Sequence, residues 1–275
     1  MNEVLRLKKK AAELRSLVFD IIYEAKTGHT GSDLSCTDIL TVLYYKILKN
    51  DPNNPDDENR DRYIQSKGHA AEILWAILAD RGYFDKEELK TFSKYKSRLM
   101  GHPNNKVEGV EMNTGSLGHG LGLSVGVALA AKIDKKDYKT YTLMGDGELA
   151  EGSVWEAAIA ASHYKLDNLT AIIDNNGLQI TGTTTEVMMT EPLAEKWRAF
   201  GWYVLEVNGN DIEELINAFE DNSNVDKPKM IIAHTVKGKG FDKSENQIGW
   251  HHRVPNEEEY LEAKKQFKVQ EGNYE

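Results

Sequence analysis

Little in the sequence points to a membrane, to secretion or to nucleic acid. Cys36 is the only cysteine, so an intrachain disulfide is excluded and a reducing compartment is expected. No run of about eighteen apolar residues is present, and the N-terminal stretch around Lys8–Lys10 lacks the apolar core of a signal peptide. Basic residues are fewer than acidic ones (34 Lys and Arg against 44 Asp and Glu, net charge −10), which argues against general binding to nucleic acid or to a membrane surface. We therefore expect a soluble, cytoplasmic protein in which an anionic ligand needs local help from a metal, helix N-termini or a few cations.

The composition is that of an ordinary globular protein. With 40% hydrophobic and 28% charged residues in 275, the chain can bury a substantial core. The sequence has no low-complexity segment, no internal repeat of fixed period and no interdomain linker. We expect one large α/β domain over residues 1–275, with two smaller domains as the alternative.

The stretch from Thr140 to Gly182 organises this domain. Two runs of strand-forming residues, Thr140–Met144 and Leu169–Ile173, flank an alanine-rich helical segment, Val154–His163. This is the length of one right-handed βαβ unit, which makes the two strands parallel. The polar turns that follow them therefore lie at the same carboxyl edge of the sheet, where open α/β sheets bind ligands. A carboxylate, Asp146, and an amide, Asn176, meet there, although either turn alone is more often only a turn.

The remaining pattern extends the same architecture. We expect helices over Val4–Ala25, Thr37–Leu48 (from a cap at Ser35), Ala70–Asp80, Lys86–Tyr95, Leu123–Ile133, Leu193–Phe200, Ile212–Phe219 and Glu257–Gln266. Further strands are expected over Arg62–Gln65, Trp202–Val207 and Lys229–Val236. Strands that alternate with helices in this way continue a parallel sheet covered by helices.

At this point a family is recognisable. The Gly-Asp-Gly of residues 145–147, followed about thirty residues later by Asn175-Asn176, resembles the diphosphate-binding motif of thiamine-diphosphate enzymes. The Glu-Gly after the first turn and the Gly-Leu-Gln-Ile-Thr-Gly after the second resemble transketolases in particular. The resemblance covers almost the whole chain. It implies a parallel sheet sandwiched by helices in a thiamine-diphosphate-binding fold.

Four histidines next to glycines follow the ends of predicted elements: His29, His69, His102 and His251. A single loop histidine is more often a solvated turn residue than a catalytic one, but four such placements by chance are much less expected. In transketolases, histidines at the matching positions line the cleft, bind substrate hydroxyls and help to move protons. The resemblance therefore assigns all four to the active site.

The resemblance also implies a metal and cofactor site. Mg²⁺ (with Ca²⁺ or Mn²⁺ as alternatives) would take the Asp146 carboxylate, the Asn176 amide oxygen and the Leu178 carbonyl, a set of oxygen ligands that suits a hard cation. Acidic residues at Glu151 and Glu156 are implied at a subunit interface near the cofactor. The residues expected to contact thiamine diphosphate are His69, Leu117, Gly118, Gly147, Glu148, Glu151 and Asn176.

Some positions depart from the family pattern or stay ambiguous. Ser116 and His119 stand in the glycine-rich loop where transketolases usually have Pro and Gln, so the identity of the sugar substrate stays open. His252 stands where relatives more often have Gly. We leave His119, His163, His234 and His252 outside the site. The basic glycine loop Lys237–Gly240 is either a phosphate contact or a solvated turn.

The implied reaction is transfer of a two-carbon ketol unit from a ketose phosphate to an aldose phosphate. A transketolase is more than twice as long, and its second domain supplies the glutamate that protonates the aminopyrimidine ring. We therefore expect this chain to act with a separate C-terminal, pyrimidine-binding subunit, in an α₂β₂ heterotetramer. The alternatives are a deoxyxylulose-phosphate synthase-like or 2-oxo acid decarboxylase subunit, and a non-catalytic assembly partner.

Overall fold

Five parallel strands form the centre of the molecule, in the order β1-β2-β3-β5-β4. The computed structural model describes residues 2–274; Met1 and Glu275, the ends of the predicted 1–275 domain, lie outside them. The strands are β1 (Arg62–Gln65), β2 (Thr140–Gly145), β3 (Leu169–Asn175), β4 (Tyr203–Asn208) and β5 (Lys229–His234). The predicted parallel α/β sheet is confirmed.

Helices cover both faces of this sheet. They are α1 (Glu3–Ala25), α2 (Thr30–Val42), α3 (Ala71–Arg81), α4 (Gly120–Ile133), α5 (Gly152–His163), α6 (Thr184–Val187), α7 (Leu193–Ala199), α8 (Ile212–Glu220) and α9 (Glu257–Gly272). Helix α2 continues as a short π-helical turn over Leu43–Ile47. No helix within residues 2–274 is long and apolar enough to cross a membrane.

Alternate residues of the buried strands enter two different cores. Leu143 and Ile172 pack with α1, α2, α3 and α8, whereas Met144 and Ile173 pack with α4, α5 and α7. A smaller cluster around Phe19 joins α1 to α9. Because both faces of the sheet are covered by helices, β2 and β3 are buried along nearly their whole length.

The predicted start of α2 at Ser35 is wrong, because the helix begins at Thr30. The Ser35 hydroxyl bonds to the Ser32 carbonyl inside the helix and does not cap it. Gly31 is accepted within the first turn because that turn packs tightly: a Cβ there would lie 2.8 Å from the Trp250 carbonyl oxygen. Tertiary contact thus overrides the helix-breaking tendency of glycine.

The prediction of an α-helix over Lys86–Tyr95 is also wrong. Only a 3₁₀ turn, Lys86–Thr91, is present, capped by the Asp85 side chain. The chain then reverses at Ser93, whose φ is +59°, so that its amide reaches the Leu99 carbonyl at 2.9 Å. Burial of Phe92 at this reversal is worth more than another helical turn of exposed lysines would be.

Candidate active site

The two turns that follow β2 and β3 are in direct contact. Parallel pairing sets Gly145 beside Asp174, so the residues that follow them leave the sheet at the same edge. The Asp146 carboxylate accepts hydrogen bonds from its own neighbour, the Gly147 amide (2.8 Å), and from the Gly177 amide of the second turn (2.5 Å). Asp146 and Asn176 line one cavity of about 460 Å³. The convergence expected from the βαβ spacing is therefore present.

The oxygen set at this edge fits a divalent cation. Asp146 is only 4% exposed, and burial together with the nearby Asp174 carboxylate raises its pKa to about 6. An ion that neutralised this carboxylate would remove that penalty. The Asn176 amide oxygen and the Leu178 carbonyl lie in the same cavity lining. Within residues 2–274 no cluster of three or more His, Cys, Asp or Glu could hold a metal, so a cation here would depend on these mixed oxygen donors.

Two buried lysines supply positive charge to the cavity. The Lys237 ammonium lies 3.0 Å from the Leu178 carbonyl and 2.9 Å from His251 Nδ1, and burial lowers its pKa to about 8. The Lys67 ammonium forms an ion pair with Asp174 and donates to the Ser32 carbonyl at 3.1 Å. Both lysines are 1% exposed, so Lys237 does not belong to a solvated turn. A protein of net charge −10 thus has two buried lysines in the lining of the cavity.

Three of the four predicted histidines, His29, His69 and His251, line the cavity, and His102 lies next to His29. The ring centroid of His29 lies 5.3 Å from that of His69, 6.3 Å from that of His102 and 5.8 Å from that of His251. His69 and His251 stack at 5.3 Å. The structure therefore brings together side chains that are separated by more than two hundred residues in the sequence.

These imidazoles are held in the neutral state. Burial, followed by the charges of neighbouring histidines and lysines, lowers the pKa of His29 to about 4 and that of His69 well below its ordinary value. Burial, then the Lys237 charge, lowers the pKa of His251 to about 3, and burial also lowers the pKa of His102. A neutral imidazole has one donor and one acceptor nitrogen, which suits it to bind sugar hydroxyls and to exchange protons with them.

His252, which we expected outside the site, is the fifth histidine of this group. The ring centroids of His252 and His29 lie 4.5 Å apart. This distance is shorter than those from His29 to the three other predicted histidines. His119, in contrast, is exposed, and its Nδ1 lies 3.0 Å from the Leu117 carbonyl in its own loop. The position where this chain has His252, and relatives more often have Gly, is therefore part of the histidine cluster.

Glu148 joins three loops beneath the cavity. Its buried carboxylate accepts hydrogen bonds from the Gly118 amide (2.8 Å), the Gly145 amide (3.1 Å) and the Ser66 hydroxyl. The Gly118 amide is consequently directed at Glu148 and not into the cavity. Glu148 itself is among the cavity-lining residues, so its position couples the glycine-rich loop to the turn after β2.

The other expected cofactor contacts fall in two places. Leu117 and Gly147 line the cavity. Glu151, exposed on the surface, is the residue before α5, and its Cβ lies 2.6 Å from the place that a Cβ on Gly118 would take. Glu156 is exposed on the same helix. Their solvent exposure is compatible with the interface role that the resemblance implies.

Sequence reasoning missed the Lys67–Asp174 pair. Both residues stand close to the carboxyl ends of strands, next to a predicted turn. A lysine between Ser66 and Gly68, two positions before a candidate histidine, is the signal that could have identified it. Its full burial could be learned only from the fold.

The family model described as transketolase, thiamine diphosphate binding domain matches residues 7–274. The chain belongs to this family. The resemblance drawn from the turn motifs is confirmed, as are the thiamine-diphosphate-binding fold and the cofactor. This transketolase domain has solved relatives: the transketolase of Campylobacter jejuni has a TM-score of 0.91 at 36% identity, over 100% of this chain and 46% of its own.

Two curated relatives have nearly the same extent as this chain. One, from Phocaeicola vulgatus, is named as a subunit of apulose-4-phosphate transketolase and is 50% identical over 263 residues, which cover 95% of this chain and 93% of the relative. The 6-deoxy-6-sulfo-D-fructose transketolase subunit SqwG of Clostridium sp. is 40% identical over 95% of this chain and 96% of the relative. Human transketolase is 40% identical over 89% of this chain, which spans only 39% of the human protein.

Proposed function

We propose that this chain is the cofactor-binding subunit of a two-chain transketolase, which transfers a ketol unit from a ketose phosphate to an aldose phosphate. The observation that supports this most directly is the single cavity in which the Asp146 and Asn176 turns meet below the histidine cluster. Relatives of the same extent are named as subunits of transketolases, which favours a partner that supplies the rest of the active site. A cytoplasmic location fits the single, buried Cys36.

Asp146, Asn176 and the Leu178 carbonyl would hold Mg²⁺, and the Lys67 and Lys237 ammonium groups would offset the diphosphate charge. When bound, thiamine diphosphate supplies the carbon nucleophile that takes up the two-carbon unit. Each neutral imidazole can then hold a sugar hydroxyl and pass its proton on, which is the protein's part in the reaction.

The surface beside the cavity fits the predicted partner subunit. Ile180 lines the cavity yet is 68% exposed, and Met188 and Met189 are 58% and 62% exposed. The two methionines border an apolar groove with Trp155 and Phe200, with a volume of about 430 Å³. Exposed apolar residues that continue from the rim of a site mark an interaction surface. An α₂β₂ assembly that closes the cavity at this rim would cover them.

The names of the relatives define the first substrates to test. The 50%-identical relative is named for apulose 4-phosphate and a 40%-identical one for 6-deoxy-6-sulfo-D-fructose, so the donor panel should contain both, together with xylulose 5-phosphate and pyruvate. Ketol transfer from a sugar and none from pyruvate would support the proposal over a decarboxylase or a deoxyxylulose-phosphate synthase-like subunit.

The decisive experiment is reconstitution. The purified chain, given thiamine diphosphate, Mg²⁺, donor and acceptor, should transfer nothing until a C-terminal transketolase subunit is added. Rapid transfer by the chain alone would overturn the two-chain proposal. In the reconstituted complex Asp146→Ala should abolish transfer, and unchanged activity would instead favour the non-catalytic assembly role.

A further inference from the structure

His252 stands beside the histidine cluster but has no role in the function proposed above. Its ring centroid lies 4.5 Å from that of His29, and the two ring planes meet at 71°. The side chain of His252 is exposed and is not among the residues within 2–274 that line the cavity, whereas His29, His69 and His251 are. His252 therefore continues the group of imidazoles outward from the cavity.

The segment that carries His252 is fixed to the start of α2. The Thr30 hydroxyl donates a hydrogen bond to the Arg253 carbonyl at 2.6 Å. Trp250 is 2% exposed, and its carbonyl lies so close to Gly31 that an added Cβ there would come within 2.8 Å of the carbonyl oxygen. Residues on both sides of His252 are therefore tied to the first turn of α2, so the position of His252 beside this helix is set by the fold.

The neighbouring cation, Arg253, is engaged elsewhere. Its guanidinium carbon lies 4.3 Å from the centroid of the Trp250 ring, and its Nη2 forms an ion pair with the Glu259 carboxylate of α9 at 2.6 Å. These contacts commit the Arg253 side chain to Trp250 and α9. His252 is consequently the polar side chain of this segment that stands next to His29.

His29 has a ring nitrogen that lacks a partner. Its Nδ1 is buried and forms no hydrogen bond within residues 2–274. Burial, then the charge of His252, lowers the pKa of His29 to about 4, so the ring is neutral and offers one donor and one acceptor nitrogen. A buried polar nitrogen that stays unpaired costs free energy, so this ring is suited to a ligand that brings a hydroxyl.

The two rings are close enough to contact the same ligand. Their centroids are 4.5 Å apart, and a hydrogen bond from an imidazole to an oxygen spans about 2.7–3.2 Å. A chain of adjacent hydroxyl groups that is bound by His29 inside the cavity can therefore reach His252 outside it. Sugars are ligands of this kind.

We propose that His252 is a substrate-binding residue that selects sugars by a hydroxyl beyond the transferred two-carbon unit. This inference rests on the proposed function, in which the reacting carbons lie in the cavity beside the turns of Asp146 and Asn176. Carbons beyond the first two must then extend outward, past His29 to His252. A site that hydrogen-bonds a substrate hydroxyl discriminates against an analogue that lacks it.

The first test is the donor selectivity of the reconstituted complex, compared between wild type and His252→Ala. The sugar donors are xylulose 5-phosphate, apulose 4-phosphate and 6-deoxy-6-sulfo-D-fructose. The short donor is hydroxypyruvate, which delivers the same two-carbon unit by losing CO₂ and has no hydroxyl beyond that unit. Because kcat/KM for hydroxypyruvate covers only the steps up to the loss of CO₂, the acceptor sugar does not enter this comparison.

With the sugar donor that the wild type uses best, His252→Ala should lower kcat/KM by about 3–10-fold, mainly through a higher KM, which is the effect of losing one neutral hydrogen bond. With hydroxypyruvate, kcat/KM should not change. Equal losses with both kinds of donor, or no loss with any sugar, would refute the proposal.

Two further variants show whether the hydrogen bond is the cause. His252→Gln keeps one donor and one acceptor group and should recover most of the loss with the sugar donor. His163→Ala is the matched control, because His163 is an exposed histidine at the end of α5, outside the site, and its removal should change neither donor. If His252→Gln is as impaired as His252→Ala, the hydrogen bond is not the cause and the proposal is wrong.

Acylation by diethyl pyrocarbonate gives a second readout that does not depend on turnover. In the complex with Mg²⁺ and thiamine diphosphate, the sugar donors should slow acylation of His252 and leave that of His163 unchanged, as measured by mass spectrometry of peptides. The His252→Ala protein distinguishes the signal of His252 from that of the adjacent His251.

The outcomes of the two readouts are separable. If the partner subunit alone blocks acylation of His252, this residue belongs to the interface and the proposal is refuted, as it is when no sugar slows the reaction. A wild-type complex that transfers from no sugar would count against the proposed function, and the acylation would still decide whether a sugar contacts His252.

Discussion

At the scale of single residues, Asp146 is the side chain on which the site depends most. Its two oxygens tie the turn after β2 to the turn after β3 through the Gly147 and Gly177 amides. It is buried, and its raised pKa shows that its charge lacks compensation. The same carboxylate therefore holds the local fold and is the group that we propose as a ligand for the cation.

Asp146→Asn separates these two roles. The amide oxygen can still accept from one of the two backbone amides, so the chain should fold, but the negative charge is lost. Loss of an outer partner of a metal ligand typically weakens metal binding by about 10–100-fold, and loss of the ligand's charge should cost at least that. Calorimetric titration with Mg²⁺ and thiamine diphosphate measures the effect. Asp85→Asn, at a residue that does not line the cavity, is the control, and equal affinities in wild type and Asp146→Asn would refute the metal assignment.

At the scale of elements, α4 shows how a glycine lets a helix pack closely against the end of a strand. Gly120 starts the helix, and a Cβ there would lie 2.3 Å from the Ser66 Cβ and 2.7 Å from the Ser66 Cα. The Gly120 amide also donates to the Ser66 hydroxyl at 3.1 Å, and that hydroxyl bonds to Glu148. The close contact of α4 with the end of β1 is therefore part of what aligns the loops beneath the cavity.

Gly120→Ala should destabilise the chain by about 1–3 kcal/mol, because the Ser66 backbone has to move. The matched control is Gly126→Ala in the same helix, where nothing lies within 4 Å of an added Cβ. There alanine should stabilise the helix by about 0.5–1 kcal/mol. Urea unfolding of the isolated chain checks both. If the two variants shift the free energy of unfolding in the same direction, the packing account of Gly120 is wrong.

At the scale of the whole molecule, a group of exposed apolar side chains lies beside the cavity. The rim of the cavity and the groove beside it carry Ile180, Met188 and Met189, all more than half exposed. The opposite edge of the sheet has Val225, 75% exposed in the loop before β5. Partner docking is therefore expected at the carboxyl edge, where it would also close the site.

The double change Met188→Ser and Met189→Ser should weaken association with the C-terminal subunit by about tenfold or more, because two central apolar contacts would be lost. The affinity of the isolated chain for Mg²⁺ should not change, since neither residue lines the cavity. Val225→Ser is the control and should bind the partner as the wild type does. Biosensor measurement of the two variants checks this, and equal affinities would place the interface elsewhere.

The sequence by itself determined the parallel α/β plan, the two turns that carry Asp146 and Asn176, and the four histidines. It did so because strand and helix periods are local, and because parallel pairing leaves no choice about which end of the sheet the turns occupy. Only the tertiary structure decided that Gly118 donates to Glu148, that Lys67 pairs with Asp174, and that His252 stands beside His29. These contacts join residues that are far apart in the sequence, and whether a charge is buried or solvated depends on what packs around it. The local sequence pattern predicts the strand, helix or turn that carries a side chain, whereas burial and long-range contacts determine the charge state and the partners of that side chain.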